Sequence, residues 1–367
     1  MTKKENLRAV LRGESGQWVP CTLNFIQWFN CHKDRATLPL ELQGKTYIEA
    51  MKVLDCDLLS RNIDGGLRGR NTSIEARFTF SEESTGRRQV MELDTPHGSL
   101  RQVDQYQNEQ FTSHAEEYLI KDWAADGKAA MYLLEQREIV WDEEAFTRTY
   151  EAFGDDGIVN IPFSVTPIKQ LHLDFGLVGT CYFLIDEPDA AKAYCDTHWQ
   201  QLWPSFLRMA DDPRVESVIL MDNVDTPFYP PEVARKYWAP YVKQLAELMA
   251  SRGKFTWVHA CGKLAGLQEV FAETGLTGLE GVSHAPLGDF PPQEAKKTHD
   301  RFIFNGGFSA VEQSMKSNDD VRAFYREYFG RAGRERFIFG SSCNVAINTP
   351  WERIKLVRDI VRDWGGA

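Results

Sequence analysis

The chain has 367 residues, of which 43% are hydrophobic and 26% charged, and its formal net charge is −11. This is the composition of a soluble globular protein with ample core, long enough for two ordinary domains or one large barrel. The acidic excess argues against duplex nucleic acid or an anionic membrane as partner, since both want a basic face. No stretch approaches the roughly 18–20 apolar residues that span a bilayer.

Taken in chain order, the N-terminal MTKKENLRAVLRG is charged and helical in pattern, without the apolar segment of a secretory leader. The seven cysteines, at 21, 31, 56, 181, 195, 261 and 343, are odd in number and scattered. They read as core residues or metal ligands in a reducing compartment, so a cytoplasmic protein with a small-molecule substrate is expected. Strands are expected at 19–25 and 56–62. Residues 75–106 then show period-two alternation with Gly and Pro punctuation, an antiparallel hairpin pattern. A helical stretch precedes the next strand, 158–164, which makes 63–157 an excursion within a single domain spanning 1–367. A helix at 188–210 opens on Pro188, and a strand at 217–222 follows. Segment 231–252 sets Val233, Tyr237, Tyr241, Leu245 and Leu248 at helical spacing and ends at Gly253. Strands at 255–261, 277–283, 301–306 and 336–341 alternate with helices at 263–273, 291–299, 319–332 and 350–364. Eight near-continuous apolar strands, most followed by a helix, imply parallel strands buried on both faces; closing them gives a (β/α)8 TIM barrel. A doubly wound open sheet is disfavoured because no GxGxxG follows the first strand.

Candidate chemistry gathers at strand ends, where barrel enzymes keep their sites. In Val258-His259-Ala260-Cys261-Gly262, side chains two apart share a face, so His259 and Cys261 can reach one ion. Gly340-Ser341-Ser342-Cys343-Asn344 brings a third soft ligand to the same rim. An imidazole and two thiolates suit zinc, and a fourth position open to carboxylate, water or substrate marks a catalytic site. The competing reading makes His259 a satisfied core histidine and the cysteines small hydrophobes.

Other residues offer acid, base or substrate contacts. Met221-Asp222-Asn223-Val224-Asp225 sets two carboxylates and an amide on the rim, either as loop and cap hydrogen bonds or as catalytic and substrate contacts. Glu280, inside the apolar run 278–282, is costly to bury unless paired or metal-bound, and reads as a zinc ligand or general acid. His284 beyond it suits a plain loop. Asn305, before Gly306 and Gly307, is a candidate for positioning substrate. Trp28 and Trp257, with Phe25, Phe29 and Phe308, either line an apolar substrate pocket or simply pack the core. His32 and Cys31 read as loop residues.

Several motifs carry a family resemblance. Arg8-Ala-Val-Leu-Arg-Gly13 with Val19-Pro20, Asp94-Thr-Pro-His-Gly98, Pro230-Pro-Glu232 with Pro240-Tyr241, and Asn348-Thr-Pro350 span most of the chain. With His259-Ala-Cys261-Gly262 and Gly340-Ser-Ser-Cys343, the chain resembles the uroporphyrinogen decarboxylase superfamily, and within it the zinc-dependent methyltransferases that serve corrinoid proteins. That resemblance implies that His259, Cys261 and Cys343 hold Zn2+. It also implies methyl transfer between a small methylated ether, thiol or amine and the cobalt of a corrinoid. The corrinoid would arrive on a partner protein, since no Asp-x-His-x-x-Gly motif is present here. The docking rim would include 30–34, 225–228 and 346–349. Ser342 departs from the glycine that many relatives carry before the last cysteine. A cofactor-free decarboxylase is the alternative, disfavoured because no RQAGR-like segment follows the first strand, where this chain reads Asn24-Phe-Ile-Gln-Trp-Phe-Asn30.

Overall fold

A computed structural model describes residues 1–366 other than 72–73, 85, 110, 164 and 311–316, so the last residue of the 158–164 run lies outside the described residues. The chain begins with α1 (Lys3–Leu11), β1 (Cys21–Thr22), α2 (Ile26–Asp34) and α3 (Tyr47–Val53). Then come β2 (Leu67–Asn71), β3 (Ala76–Glu83), β4 (Gly86–Thr95), β5 (Gly98–Gln107), β6 (Thr112–Glu117), α4 (Trp123–Glu135) and β7 (Arg137–Trp141). These are followed by α5 (Glu143–Phe153), β8 (Asn160–Phe163), α6 (Pro167–Asp186), α7 (Pro188–Asp211) and β9 (Ser217–Leu220). The remainder is α8 (Pro231–Tyr237), α9 (Ala239–Ala250), β10 (Phe255–His259), α10 (Gln268–Thr274), β11 (Gly278–Val282) and α11 (Pro292–Ala295). Last are β12 (Ile303–Phe308), α12 (Asn318–Ala332), β13 (Phe337–Ser341) and α13 (Trp351–Gly365).

Two compact units divide these elements. The first comprises Met1–Gly66, Glu143–Phe163 and Ala210–Ala367; the second comprises Leu67–Asp142 and Ser164–Met209. Most of the expected 63–157 excursion thus falls in the second unit, which also takes α6 and most of α7, while α5 belongs to the first.

The first unit is an α/β fold around a seven-stranded parallel sheet, in the order β1-β13-β12-β11-β10-β9-β8. Every residue of β9, β11, β12 and β13 is buried, the signature of parallel strands covered on both faces. The expected strand at 56–62 is reduced to one parallel bridge, Leu58 to Gly157. Its backbone nonetheless reaches both ends of the sheet. Asp57 N donates to Cys21 O at 2.9 Å, and Leu58 exchanges bonds with Asp156 O and Ile158 N at 2.9 and 2.8 Å. The Asp57 carboxylate adds bonds from Cys21 N (2.9 Å) and Trp18 Nε1 (3.0 Å). Inside the sheet, Leu59, Ile158, Ile219, Trp257, Ile303 and Ile338 form a core with Leu7, Val10 and Leu11 of α1. A capping box of Thr2 and Glu5 starts that helix.

Several elements depart from the sequence expectation for local reasons. The helix expected over 231–252 divides at Trp238, because Pro240 lacks a backbone N–H and starts α9 afresh. Helix α6 is uniformly apolar over much of its length, without a clean 3.6-residue stripe, and contains a non-helical Gly176. The hairpin of 75–106 extends into a four-stranded antiparallel sheet, β3-β4-β5-β6, and β7, in the stretch expected to be helical, pairs with β2. Helix α4 packs on β5 and β4. No helix among the described residues is long and apolar enough to cross a membrane.

Trp257 is wholly buried among the aliphatic residues of the first core. Trp257→Ala is expected to cost about 3–5 kcal/mol, the range for removing a large core aromatic, read from denaturant unfolding. A loss under about 1 kcal/mol would mean the ring is not a core element.

Candidate functional site

The site grows from strand register in the first unit. Parallel pairing sets His259 beside Glu280 on the neighbouring strand, and Glu280 beside Asn305 on the next. A register irregularity follows Glu280, where Gly281 takes φ +84°. A Cβ there would fall 2.4 Å from His259 Cε1, so only glycine admits the imidazole. His259 Nδ1 lies 2.6 Å from Glu280 Oε2. That contact makes Nδ1 the donor and leaves Nε2 as the nitrogen for another partner. Nε2 is buried and has no hydrogen-bond partner.

Two thiols converge on this nitrogen. One nitrogen of His259 and the sulfurs of Cys261 and Cys343 all lie within 4.8 Å of one another. No other three His, Cys, Asp or Glu side chains among the described residues are so grouped. Backbone bonds hold each cysteine in place. Ser283 Oγ donates to Cys261 O at 3.0 Å, and Ala260 N donates to Glu280 O at 2.8 Å. Cys343 O accepts from Asn24 Nδ2 and from Arg61 Nη2, each at 2.7 Å.

Arg61 completes the arrangement. Its Nε donates to Glu280 Oε2 at 2.8 Å, and its Nη2 lies 3.7 Å from Cys343 Sγ. With 5% and 8% of their side chains exposed, Arg61 and Glu280 form an ion pair out of water. Burial would raise the Glu280 carboxyl, but the Arg61 guanidinium, and after it His259, hold it below the usual carboxylate range. Burial and Arg61 press His259 down, and the Glu280 carboxylate together with the neighbouring Cys343 sulfur outweighs them to leave it raised. The hydrogen bond from Cys261 lowers the Cys343 thiol despite its burial, with His259 and Arg61 adding to the effect. A thiolate at Cys343 in turn raises Cys261. Imidazole and two sulfurs are a zinc donor set, and a carboxylate on the far nitrogen of the histidine is its usual support.

The other candidates separate clearly. Glu280 is not among the converging ligands; its carboxylate meets Arg61 Nε and His259 Nδ1 and so stands beside the ligand group. Asp222 is fully buried and accepts from Trp238 Nε1 at 2.8 Å, a bond at the junction of α8 and α9. Asn223 is exposed with φ 51°. Asp225 Oδ1 accepts from Lys263 N at 3.1 Å and so braces the loop that carries Cys261. Asn305 is buried, its Oδ1 bonded to Thr22 Oγ1 at 3.4 Å. Trp28 donates to Thr349 O at 2.8 Å and stacks on Trp351, and Trp257 sits in the core, so of the two readings open for these tryptophans both pack in the interior. His284 contacts Ala285 O in a loop, whereas His32 and Cys31, expected in a loop, lie in α2, from which His32 ties Thr37 to Ile347.

Sequence reasoning missed Arg61 and Asn24. Arg61 closes the apolar run 56–60, and the argument applied to Glu280, a charge where burial is expected, would have found it. Glu280→Gln leaves Arg61 buried without its counter-charge and is expected to destabilise the fold by about 3–5 kcal/mol. Arg61→Met combined with Glu280→Gln should recover much of that loss in the same unfolding titration. A double variant no more stable than the single one would show that the two charges do not depend on each other.

Comparison with known proteins follows this geometry. The sequence pattern of the uroporphyrinogen decarboxylase (URO-D) family matches residues 176–364, just over half of the chain. A methyltransferase from Methanosarcina mazei is similar in fold, with a TM-score of 0.62 at 14% identity, over 99% of each chain. A candidate vitamin-B12-independent methionine synthase from Listeria monocytogenes aligns with a TM-score of 0.43 at 12% identity, over 97% of this chain and 98% of that one. No curated protein sequence matches the chain.

Proposed function

The chain belongs to the uroporphyrinogen decarboxylase (URO-D) family, and we propose that it is a zinc-dependent methyltransferase. It would move a methyl group between a small methylated ether, thiol or amine and the cobalt of a corrinoid carried by a partner protein. The observation that carries this reading is the buried, unpartnered Nε2 of His259 facing the sulfurs of Cys261 and Cys343. The proposal includes a closed (β/α)8 barrel with 56–62 as its second strand in chain order, supported by the bonds of Asp57 and Leu58 to Cys21, Asp156 and Ile158. It also treats the two compact units as one functional domain. All seven cysteines are free thiols, which suits a cytoplasmic location.

When bound, zinc supplies Lewis acidity to the heteroatom that gives up or receives the methyl group. The chain's own residues do the rest. Glu280 orients His259 and fixes which nitrogen faces the metal. Arg61 offsets the negative charge of Cys343 and holds its carbonyl. Asn24 and Ser283 fix the backbones of the two cysteines. Asp225 braces the Cys261 loop, and Asn305 is available on the strand next to Glu280 to orient substrate. Asp222 has no step of its own in this scheme. The decarboxylase alternative draws less support, because Arg61, the arginine at the site, is committed to Glu280 and Cys343 instead of a substrate carboxylate.

Protein purified without added metal is expected to carry about one zinc per chain, largely lost in Cys261→Ser and Cys343→Ser. It should also demethylate one class among methyl ethers, methylated thiols and methylamines with free cob(I)alamin as acceptor. Metal-free wild type with undiminished activity would sink the proposal.

Docking of a corrinoid protein on the loop rim gives a second expectation. Thr226 bonds Lys263 O through both N (2.8 Å) and Oγ1 (2.7 Å), so it belongs to the loop scaffold. Phe228 nearby is 42% exposed and is the better probe. Phe228→Arg should slow transfer to protein-bound corrinoid about tenfold or more while leaving transfer to free cobalamin near wild type. Equal losses with both acceptors would assign Phe228 to the substrate pocket.

A further inference from the structure

The second unit contains a cavity of about 280 Å³ far from any residue of the proposed reaction in sequence, close to the small end of ligand pockets. One wall is sheet, with Phe78, Met91 and Leu93; the facing wall is α4, with Ala130, Leu133 and Leu134. One corner is polar, formed by Arg137, Gln170, Asp174 and Tyr194.

Each polar group in that corner has a traceable state. At Gly176 the helix α6 leaves helical geometry with φ 72°, and the Tyr118 ring lies where a Cβ would stand. The kink frees the carbonyl of Asp174 to accept from Ile120 N at 2.9 Å. The Asp174 carboxyl accepts from Tyr194 O–H and, through both oxygens, from Gln170 Nε2 at 3.0 Å. Its acceptor capacity is largely spent, and burial raises its pKa against these bonds and the field of Arg137. Arg137 has a different balance. Its Nη1 makes a 3.3 Å bond to Gln170 Oε1, and among the described residues no carboxylate lies within ion-pair distance of it. A half-buried guanidinium at the end of an apolar slot offers a fork that matches a carboxylate.

We propose that this cavity binds a small apolar carboxylate, its hydrocarbon or aromatic body between the sheet and α4 and its carboxylate on Arg137. A mere packing gap would be lined by apolar atoms alone and would stay dry. The site lies wholly within the second unit and is independent of the methyl-transfer reading.

Calorimetry on the full-length, zinc-replete protein tests it with phenylacetate and octanoate, against 2-phenylethanol and phenethylamine as matched neutral and cationic probes. At least one acid should bind, and its neutral and cationic counterparts should bind at least about tenfold more weakly. Arg137→Gln should cost the acid about tenfold or more in affinity. Met91→Trp, which fills the slot and leaves the polar corner intact, should abolish binding with the melting temperature retained. Should Arg137→Gln prove unfolded, Met91→Trp decides alone. No heat from either acid on folded wild type, an unchanged affinity in Met91→Trp, or tighter binding of the amine than of the acid would overturn the proposal.

Discussion

One buried charge organises the site. Glu280 stands in a strand buried along its whole length, where an unpaired carboxylate would be expelled or neutralised. It persists because His259 Nδ1 at 2.6 Å and Arg61 Nε at 2.8 Å both meet its Oε2. Each partner then does something further. His259 turns its second nitrogen toward the cysteines, and Arg61 reaches past the carboxylate to the carbonyl and sulfur of Cys343. Removing the carboxylate would loosen the histidine and the cysteine together, although neither cysteine touches it.

The legible and the illegible parts of this site differ in sequence range. His259 and Cys261 share one strand end, so alternation alone predicts that they converge. Cys343 needed only the inference that parallel strands end at a common rim. Glu280 announced itself as a carboxylate in an apolar run, but its partner did not, because Arg61 lies 219 residues away. Its segment is also barely a strand, pairing through one bridge. The aromatic candidates stayed open between two readings for another reason: a tryptophan near a strand end looks the same in sequence whether it lines a pocket or fills a core. Asp222 stayed open between a structural hydrogen bond and rim chemistry because its indole partner, Trp238, sits at a helix break that periodicity overlooked.

The fold divides along the same line. Parallel strands of the first unit were visible because burial on both faces makes them continuously apolar. The antiparallel sheet of the second unit was visible only where alternation was clean, over 75–106. Helix α6 escaped because a mostly apolar helix with a glycine break presents no stripe.

Charge balance joins the scaffold to the proposed chemistry. Arg61 and Glu280 neutralise each other, and two thiolates neutralise a divalent ion, so a zinc-loaded site would be close to neutral despite its burial. Without the ion, the two thiols and the buried imidazole must share protons among themselves. The raised His259 and lowered Cys343 express that: a proton on the histidine is matched by a negative sulfur beside it. Metal entry would displace that proton and the one on Cys261, so affinity should climb with pH. Arg61 limits the climb by stabilising the thiolate in advance. A thiolate stabilised in this way is a weaker donor to the metal than one left bare. The heteroatom of the substrate, in the open fourth position, would then face a more electrophilic ion. On the zinc reading, Arg61 would exchange some metal affinity for Lewis acidity.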